Sequence, residues 1–375
     1  MIEFSNIFNH NNIKIFLLTL QYLTGYFLFS TKKLLRNKKY NYKGEKISCI
    51  IPARNEEKNL PILLESLKKQ SIKPYEIIVV DDNSSDRTGD IALEYGAILV
   101  KNGEPPENWT GKVWALWNGY LKSTGDILIF LDADVRLQKD AISTLLYLRE
   151  KNKGVISVFP YHYTERFYEK FAILFNILGS FTFTSPFEKN KGDMCGAVIV
   201  ARREDYEKVD GHRSVSSDVV EDFSLGRVFE ENGIPADTYL GYKTISFRMY
   251  PDGLKSLIEG FTKNTAKGAV SISFATFLLL IFWFSGLFGS GFKLVLQILR
   301  RDFSFNTDIL FYLLYTFQLI FLGRYTGNFG FILPLFHFLP STFFLFVFIN
   351  SIYRYYIRGE VFWKGREIFI KRINR

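Results

Sequence analysis

The sequence predicts an α/β domain with a mostly parallel sheet flanked by helices, and membrane segments on both sides of that domain. Two observations carry this prediction. Between residues 46 and 243, short apolar runs alternate with helical patterns, which is typical of strands buried on both faces of a parallel sheet. Long apolar stretches with few charges lie at residues 13–30 and beyond residue 270, as expected of membrane helices.

The composition excludes several classes of protein. The chain has 375 residues, is 47% hydrophobic and carries a net charge of +9, so it is neither a disordered chain nor a small disulfide scaffold. Its two cysteines, Cys49 and Cys195, give no disulfide framework. No G-x-x-x-x-G-K-[ST] or G-x-G-x-x-G occurs, which disfavours a P-loop ATPase and a Rossmann dehydrogenase.

The first apolar stretch predicts a membrane anchor rather than a cleaved signal peptide. No small-x-small cleavage site follows residue 30, and residues 31–46 carry seven basic residues and one acid. Under the positive-inside rule this basic flank stays in the cytoplasm. We therefore expect a multi-pass protein of the cell membrane with a cytoplasmic domain, divided into an anchor at 1–39, a catalytic domain at 40–269, membrane segments at 270–352 and a basic tail at 353–375.

Two to three membrane segments are predicted after the domain. The apolar stretches are Val270–Gly289, Ile309–Leu322 and Phe329–Ile349. Three full crossings would leave the tail, with seven basic residues and two acids, outside, whereas Lys293, Arg300 and Arg301 between the first two stretches also favour the inside. We therefore expect Val270–Gly289 to enter the membrane and return to the same face, bent at its glycines; three ordinary helices with a weak charge bias are the alternative. The glycines in question are Gly286, Gly289 and Gly291.

Within the domain the elements are predicted in order. Strands are expected at ISCIIP, EIIVVDD, AILV, DILIFLDAD and GVISVFP, and helices at Glu57–Gln70, Gly89–Tyr95, Val113–Lys122 and 221–232.

Ligands of parallel sheets bind beyond the carboxyl ends of the strands. Acidic residues follow three of these strands. Helix capping explains any one of them, but not all of them together. Asp132 and Asp134 point to one side because alternate strand residues share a face, which favours Mg²⁺ or Mn²⁺ bridging a diphosphate. Gly111 and Lys112 at a helix start offer further phosphate contacts.

Taken together, the motifs carry a resemblance. The segments PARNEE, VVDDNSSDRT, WTGKVWA, DAD and VED resemble a family 2 glycosyltransferase of the GT-A fold, over residues 47 to about 247. PYHYTERFYEKFAILFN, FRMYPDGLKSLIEGFTKNTAKGA and WKGR are similar to a membrane-bound branch that glycosylates carotenoid acids.

The resemblance implies a role for each matching residue. Asp134 would ligate the divalent cation, and Asp222 would be the catalytic base of an inverting transfer, preceded by Glu221. An acid in the first turn of a helix also stabilises the helix dipole, which is the structural alternative. A carboxylic acid acceptor is ionised at neutral pH, so Asp222 would then chiefly orient it. The residues implied in binding the nucleotide-sugar are Pro52, Ala53, Asn55, Glu56, Asp81, Asp82, Lys112 and Asp132.

Two histidines lie near these motifs. We expect His212 in a surface turn, and His162, after the strand GVISVFP, as an acceptor contact.

The function implied is the metal-dependent transfer of a single hexose, glucose from UDP-glucose, to a lipophilic membrane acceptor such as a carotenoid acid or another lipid. No Q-x-x-R-W string follows Asp222, which favours one transfer over chain growth. Membrane lipids are expected partners and nucleic acid is not. The alternatives are a catalytically silent nucleotide-binding membrane scaffold and a nucleotidyltransferase acting on a lipid phosphate.

Overall fold

The structure, a computed structural model, describes residues 10–30, 33–184, 192, 194–218, 221–270, 272–302, 304–363 and 366–369. The helices are α1 (His10–Leu28), α2 (Leu60–Lys68), α3 (Thr88–Glu94), α4 (Gly111–Lys122), α5 (Ala141–Asn152), α6 (Ile173–Thr184), α7 (Arg203–Lys208), α8 (Glu221–Glu231), α9 (Leu254–Val270), α10 (Phe274–Leu299), α11 (Thr307–Thr326), α12 (Ile332–Leu335) and α13 (Phe338–Ile352). Short 3₁₀ helices lie at Phe167–Ala172 and Gly211–Val215.

The strands are β1 (Ile47–Ala53), β2 (Glu76–Asp81), β3 (Ile98–Lys101), β4 (Ile127–Leu131), β5 (Val135–Leu137), β6 (Val155–Phe159), β7 (Tyr161–His162), β8 (Val198–Arg202), β9 (Ala236–Leu240), β10 (Ile245–Phe247), β11 (Glu360–Trp363) and β12 (Arg366–Phe369). The chain divides into two compact units. The sheet unit comprises Lys32–Tyr163 and Lys189–Arg248, and the helical unit comprises Met1–Thr31, Thr164–Glu188 and Met249–Arg375.

The sheet unit is built on a seven-stranded sheet in the order β3-β2-β1-β4-β8-β6-β9. The pairs from β3 to β4 are parallel, as is β6 with β9, while β8 runs antiparallel between β4 and β6. The expected mixed α/β fold with a mostly parallel sheet is therefore confirmed. A smaller sheet has the order β5-β10-β7.

Both faces of the central strands are covered, because successive side chains of a strand point to opposite sides. In β1, Cys49 and Ile51 pack in one buried cluster with Leu63 of α2, whereas Ile50 packs in another with Ala115 of α4. Burying a leucine or isoleucine of this kind stabilises a fold by roughly 1.5–3 kcal/mol. The strands consequently read as nearly continuous apolar runs, and only their ends are free to carry polar residues.

In the helical unit, polar contacts hold α1 against α10 and α11. At one end, Asp308 of α11 pairs with Lys14 of α1 at 2.9 Å and with Lys293 of α10 at 3.1 Å. At the other end, the Trp283 indole N–H donates to Gln318 Oε1 at 2.8 Å, and the Gln318 amide donates to the Tyr22 carbonyl at 3.0 Å. These pairings place α1 parallel to α11 and antiparallel to α10.

Two of the described helices are long and apolar enough to cross a membrane, by length and composition: α10, with 26 residues, and α11, with 20 residues. The expectation that residues 270–289 turn back at Gly286, Gly289 and Gly291 is wrong. All three glycines lie inside the continuous helix α10, which is about 39 Å long at 1.5 Å per residue.

The chain turns back further on, between α11 and α13. Asn328 is fixed to Thr164, whose N–H donates to the Asn328 side-chain carbonyl at 2.6 Å and whose carbonyl accepts from the Asn328 amide at 3.0 Å. The chain then reaches Tyr312, near the beginning of α11, whose hydroxyl donates to the Leu335 carbonyl and whose ring stacks on His337 at 4.2 Å.

From there α13 runs antiparallel to α10. Phe338 at its start packs on Phe288, Phe344 packs on Phe284 further along, and Ser351 at its end donates to the Thr262 carbonyl of α9. Residues 328–352 therefore form a hairpin that begins and ends on the same side of the helical unit.

Candidate functional site

The polar residues that follow the parallel strands lie at one edge of the sheet. In the parallel register of β1 and β2, Ala53 is level with Asp81, and the Asp82 N–H donates to the Ala53 carbonyl at 2.8 Å. β4 lies on the other side of β1 and ends at Leu131, just before Asp132. Neighbouring strands are about 4.8 Å apart, so the ends of β2 and β4 are about 10 Å apart.

Capping accounts for two of the acids at this edge. Asp81 accepts a hydrogen bond from the Ser84 N–H at 3.0 Å, which closes a turn after β2. Asp86 accepts from the N–H groups of Thr88 at 3.0 Å and Glu57 at 3.1 Å. Burial opposes ionisation of Asp86, but these bonds and that of the Thr88 hydroxyl outweigh it and hold its pKa below the usual range.

The loop after β1 is shaped by Asn55. Its φ of 53° places it in the left-handed region, which asparagine tolerates better than most residues. Its N–H donates to the Ser84 hydroxyl at 3.0 Å, and its side-chain carbonyl accepts from the Ser85 N–H at 2.8 Å. The Glu56 N–H donates to the Thr88 hydroxyl at 2.8 Å. Pro52 and Ala53 belong to β1 itself, and their nucleotide contacts remain predictions.

Asp82 differs from Asp81 because it is held without closing a turn. It is buried, its carboxylate lies 3.5 Å from Arg54 Nη1, and Asn102 Nδ2 donates to its Oδ1 at 3.3 Å. The Asn102 side-chain carbonyl in turn accepts from Asn118 at 2.6 Å. Sequence analysis missed Arg54 and Asn102 as partners of Asp82, because Asn102 lies beyond β3 and nothing in its local sequence relates it to β2.

A second cluster surrounds Lys112, in the first turn of α4. Its Nζ lies 2.8 Å from Asp132 Oδ1 and 3.6 Å from Glu221 Oε1. Burial alone would lower the pKa of Lys112, but the carboxylates of Asp132, Glu221 and Asp222 raise it above the ordinary value. The side chains of Lys112 and Asp132 keep exposures of 39% and 32%, so the pair contributes about 1 kcal/mol or less to folding. Its importance lies in balancing the charge of the site.

Asp222 completes this cluster from the first turn of α8. Its Oδ2 accepts from the Gly196 N–H at 2.7 Å, and its Oδ1 accepts from the Phe223 N–H at 3.1 Å. Burial, followed by the neighbouring negative charge of Glu221, raises the pKa of Asp222 to about 7, although Lys112 and the two N–H groups act in the opposite direction. A carboxyl group that exchanges its proton near neutral pH can act as a base.

Asp132 and Asp134 have the chemistry of a site for a hard cation. Both are partly exposed, whereas Ala133 between them is buried, and their oxygens are ligands that Mg²⁺ and Mn²⁺ accept. Within the described residues, no group of three or more histidines, cysteines or acids could hold a metal ion. A cation bound here would therefore take its remaining ligands from water and from a bound diphosphate.

Both histidines are buried, and for His212 this differs from the expectation. The expected surface position of His212 is wrong: the residue is fully buried, its Nδ1 lies 2.8 Å from the Tyr206 hydroxyl, and burial lowers its pKa to about 3. His162 is also fully buried, in β7, with its ring 5.4 Å from that of Phe247. A direct acceptor contact by His162 remains a prediction.

The structure thus forms two groups of predicted residues along one sheet edge. Asp82 belongs to the group with Arg54, whereas Asp132, Glu221 and Asp222 surround Lys112. The edge therefore carries a fixed carboxylate at one end and, at the other, a carboxyl group whose pKa is raised to about 7.

The fold is shared with solved glycosyltransferases. A mannosyltransferase from Pyrobaculum calidifontis, solved in complex with GDP-Man and Mn²⁺, is similar with a TM-score of 0.53 over 92% of this chain and 97% of that chain. The two are 15% identical, so the likeness concerns the fold. It confirms a fold of the GT-A type.

Sequence comparison then gives the family. Residues 48–210 match the family described as Glycosyl transferase family 2. The chain is 34% identical, over 95% of its length and 97% of the relative's, to the 4,4'-diaponeurosporenoate glycosyltransferase of Staphylococcus aureus strain N315, and equally to that of strain MRSA252. The chain belongs to glycosyl transferase family 2 and is a glycosyltransferase, as its motifs predicted.

The raised pKa of Asp222 makes a prediction for stability. Its carboxyl group binds a proton more tightly in the folded chain than in the unfolded chain, so wild-type stability falls as pH rises from about 4 to about 7. We expect the thermal stability of Asp222→Asn, which lacks the charge, to exceed that of wild type by more at pH 8 than at pH 5. The difference should be roughly 2–4 °C for each kcal/mol of charge burial that the substitution removes. Thermal unfolding of the purified protein at both pH values measures this.

Asp86→Asn is the control for that experiment. The pKa of Asp86 is lowered, so this carboxylate stays ionised from pH 5 to pH 8 and the effect of its removal should be the same at both. A shift in unfolding temperature for Asp222→Asn that is equal at pH 5 and pH 8 would show that Asp222 does not titrate in this range.

Proposed function

We propose that the protein transfers a single hexose, with inversion and with a divalent cation, from a UDP-sugar to a lipophilic membrane acceptor. The observation that carries the proposal is the half-buried carboxyl group of Asp222, hydrogen-bonded to Gly196 and next to the Lys112 cluster at the carboxyl edge of the sheet. Glucose from UDP-glucose is the proposed donor. The S. aureus relative is named for a carotenoid acid, which supports such an acid as the acceptor.

The donor would lie along the strand ends. Asp82, fixed by Arg54 and Asn102, is proposed to accept from the ring N–H of uracil. Asn55 and Glu56, in the loop after β1, with Pro52 and Ala53 before them, would border the base. Asp132 would face the ribose and phosphate, and Asp81 would support the turn beneath them.

Catalysis would draw on the second cluster. Asp134 would ligate the cation, and the cation, when bound, would offset negative charge on the departing diphosphate. Lys112 would contribute a further positive charge there. Asp222 would take the proton of a hydroxyl acceptor as its oxygen attacks the sugar, while Glu221 keeps the pKa of Asp222 raised. A carboxylic acid acceptor is already ionised at neutral pH, so Asp222 would then orient it.

Membrane insertion is proposed for the helical unit. Its helices expose large apolar side chains, among them Phe317 at 64% and Phe274 at 74%. With the basic flank at 32–46 in the cytoplasm, α1 and α11 would cross toward the cytoplasm and α10 away from it. The hairpin 328–352 would enter from the cytoplasmic side and return, so that the basic tail stays inside.

The first test is a transfer assay with a UDP-sugar, using one hydroxyl and one carboxylic acid acceptor. We expect Asp222→Asn to lower kcat for the hydroxyl acceptor by about 10²–10⁴-fold, and much less for the acid. Glu231→Gln, an exposed acid at the other end of α8, should leave kcat unchanged. Full activity of Asp222→Asn with both acceptors would remove the proposed base, and release of pyrophosphate instead of UDP would indicate a nucleotidyltransferase.

The second test addresses the cation. We expect Mn²⁺ to tighten UDP binding in calorimetry, EDTA to abolish transfer, and Asp134→Ala to lose the effect of Mn²⁺ on UDP binding. Asp90→Ala, an exposed acid on α3, should behave as wild type. Transfer that continues in EDTA would refute a role for Asp134 as a metal ligand.

The third test addresses topology, by labelling single introduced cysteines with an impermeant maleimide. Phe305→Cys, between α10 and α11, should react in intact cells, whereas Tyr356→Cys, after α13, should react only once cells are permeabilised. Both positions are exposed, at 71% and 58%, and the wild type with Cys49 and Cys195 gives the background. Labelling of Tyr356→Cys in intact cells would show that α13 crosses completely.

A further inference from the structure

The backbone of the segment Cys195–Ala197 contacts two residues of the Lys112 cluster, Asp222 through its carboxylate and Asp132 through its backbone N–H. The Gly196 N–H donates to Asp222 Oδ2 at 2.7 Å, and the next residue, Ala197, accepts at its carbonyl from the Asp132 N–H at 2.9 Å. The position of this short segment therefore decides where two separate charged side chains are held.

A side chain at position 196 would crowd this contact. A Cβ at this position would lie 3.1 Å from Asp222 Oδ2 and 3.3 Å from Asp222 Cβ. The absence of a side chain lets the backbone N–H approach the carboxylate directly, but it also leaves the segment with no side chain of its own to anchor it at that point.

The anchor is supplied by Ser157, a fully buried residue of β6. Its hydroxyl accepts from the Cys195 N–H at 2.7 Å and donates to the Cys195 carbonyl at 2.8 Å. The antiparallel ladder between β6 and β8 is recorded for Ile156 with Val200 and for Ser157 with Ile199. The Ser157 side chain thus extends the contact between the two segments to Cys195, which lies before the start of β8 and one residue before Gly196.

We infer that Ser157 is a positioning residue for the transfer reaction, which fixes the Gly196 N–H against Asp222 through both backbone groups of Cys195. This inference rests on the proposed role of Asp222. The charged or titratable groups around Asp222 are Glu221 on its own helix, Lys112 on α4, with Asp132 across that lysine, and Cys195 in the segment itself. A substitution at Ser157 leaves the side chains of all four residues chemically unchanged.

Removal of the hydroxyl should change the protonation of Asp222 rather than the binding of donor. A hydrogen bond from an N–H favours the ionised carboxylate, so its loosening raises the pKa of that group. For Ser157→Ala we expect the acid limb of the pH profile of kcat to move up by about one unit. Near pH 6.5 kcat should fall about tenfold and recover above pH 8, with the KM for the UDP-sugar unchanged.

A matched control is available on β1. Ser48 is also a fully buried strand serine, and its hydroxyl donates to Glu76 at 2.6 Å and accepts from the Gly125 N–H at 2.8 Å. It lies at the opposite end of its strand from the site. Ser48→Ala should lose a comparable amount of thermal stability while its pH profile stays that of wild type. Ser157→Thr, which keeps the hydroxyl, should restore the wild-type profile.

The experiment uses the hydroxyl acceptor, for which Asp222 is the proposed base. It measures pH profiles of kcat and KM for the full-length protein, with wild type, Asp222→Asn, Ser48→Ala, Ser157→Thr, Ser157→Ala and Ser157→Cys. The cysteine variant keeps nearly the same volume with a weaker hydrogen-bonding group, and it should show a smaller shift even where the alanine variant does not fold. An unshifted acid limb in the folded Ser157 variants overturns this inference while leaving the function intact. Absence of transfer by wild type, or full activity of Asp222→Asn, overturns the proposed function instead.

Discussion

The carboxyl edge of the sheet depends on one interaction, the placing of the Lys112 ammonium group among three carboxylates. Asp132 comes from the end of β4, and Glu221 and Asp222 come from the first turn of α8. Without a cation between them, acids this close would raise one another's pKa values and tend to take up protons. Lys112 stands in the first turn of α4, where the helix begins at Gly111, so one lysine from a third element holds the strand end and α8 together.

The positive charge of Lys112 compensates the negative charge of Asp222 only in part. Glu221 competes for the same lysine, and burial disfavours a second negative charge beside it. The fold retains this unfavourable arrangement because the surrounding backbone is well determined: Asp222 is held by Gly196, and the neighbouring Cys195 is held by Ser157. Functional sites commonly keep such local conflicts, at some cost to stability.

The sequence was sufficient for strands β1 to β4 and β6 and for the polar residues that follow them, because both come from local patterns; β8 and β9, which complete the seven-stranded sheet, were not predicted. Apolar runs such as ILIFL predict buried strands, and helix α4 was expected at 113–122 and is found at Gly111–Lys122. What depends on contacts between distant segments could not be predicted. Ser157 looks like any polar residue in a strand, Asn102 has no local relation to Asp82, and His212 stands in a turn-like sequence although Tyr206 and Phe130 bury it.

The return of the chain was predicted in the wrong segment, residues 270–289, for a related reason. Counting charges treats Lys293 as a free cation that should face the cytoplasm. In the structure Asp308 pairs with both Lys293 and Lys14, so the three groups together leave a single net positive charge. A paired lysine at a helix end costs less to place on the outer side than an unpaired one. The proposed topology can therefore leave α10 as a complete crossing, and the return of the chain falls to residues 328–352, where Asn328 satisfies the backbone of Thr164 as the hairpin begins.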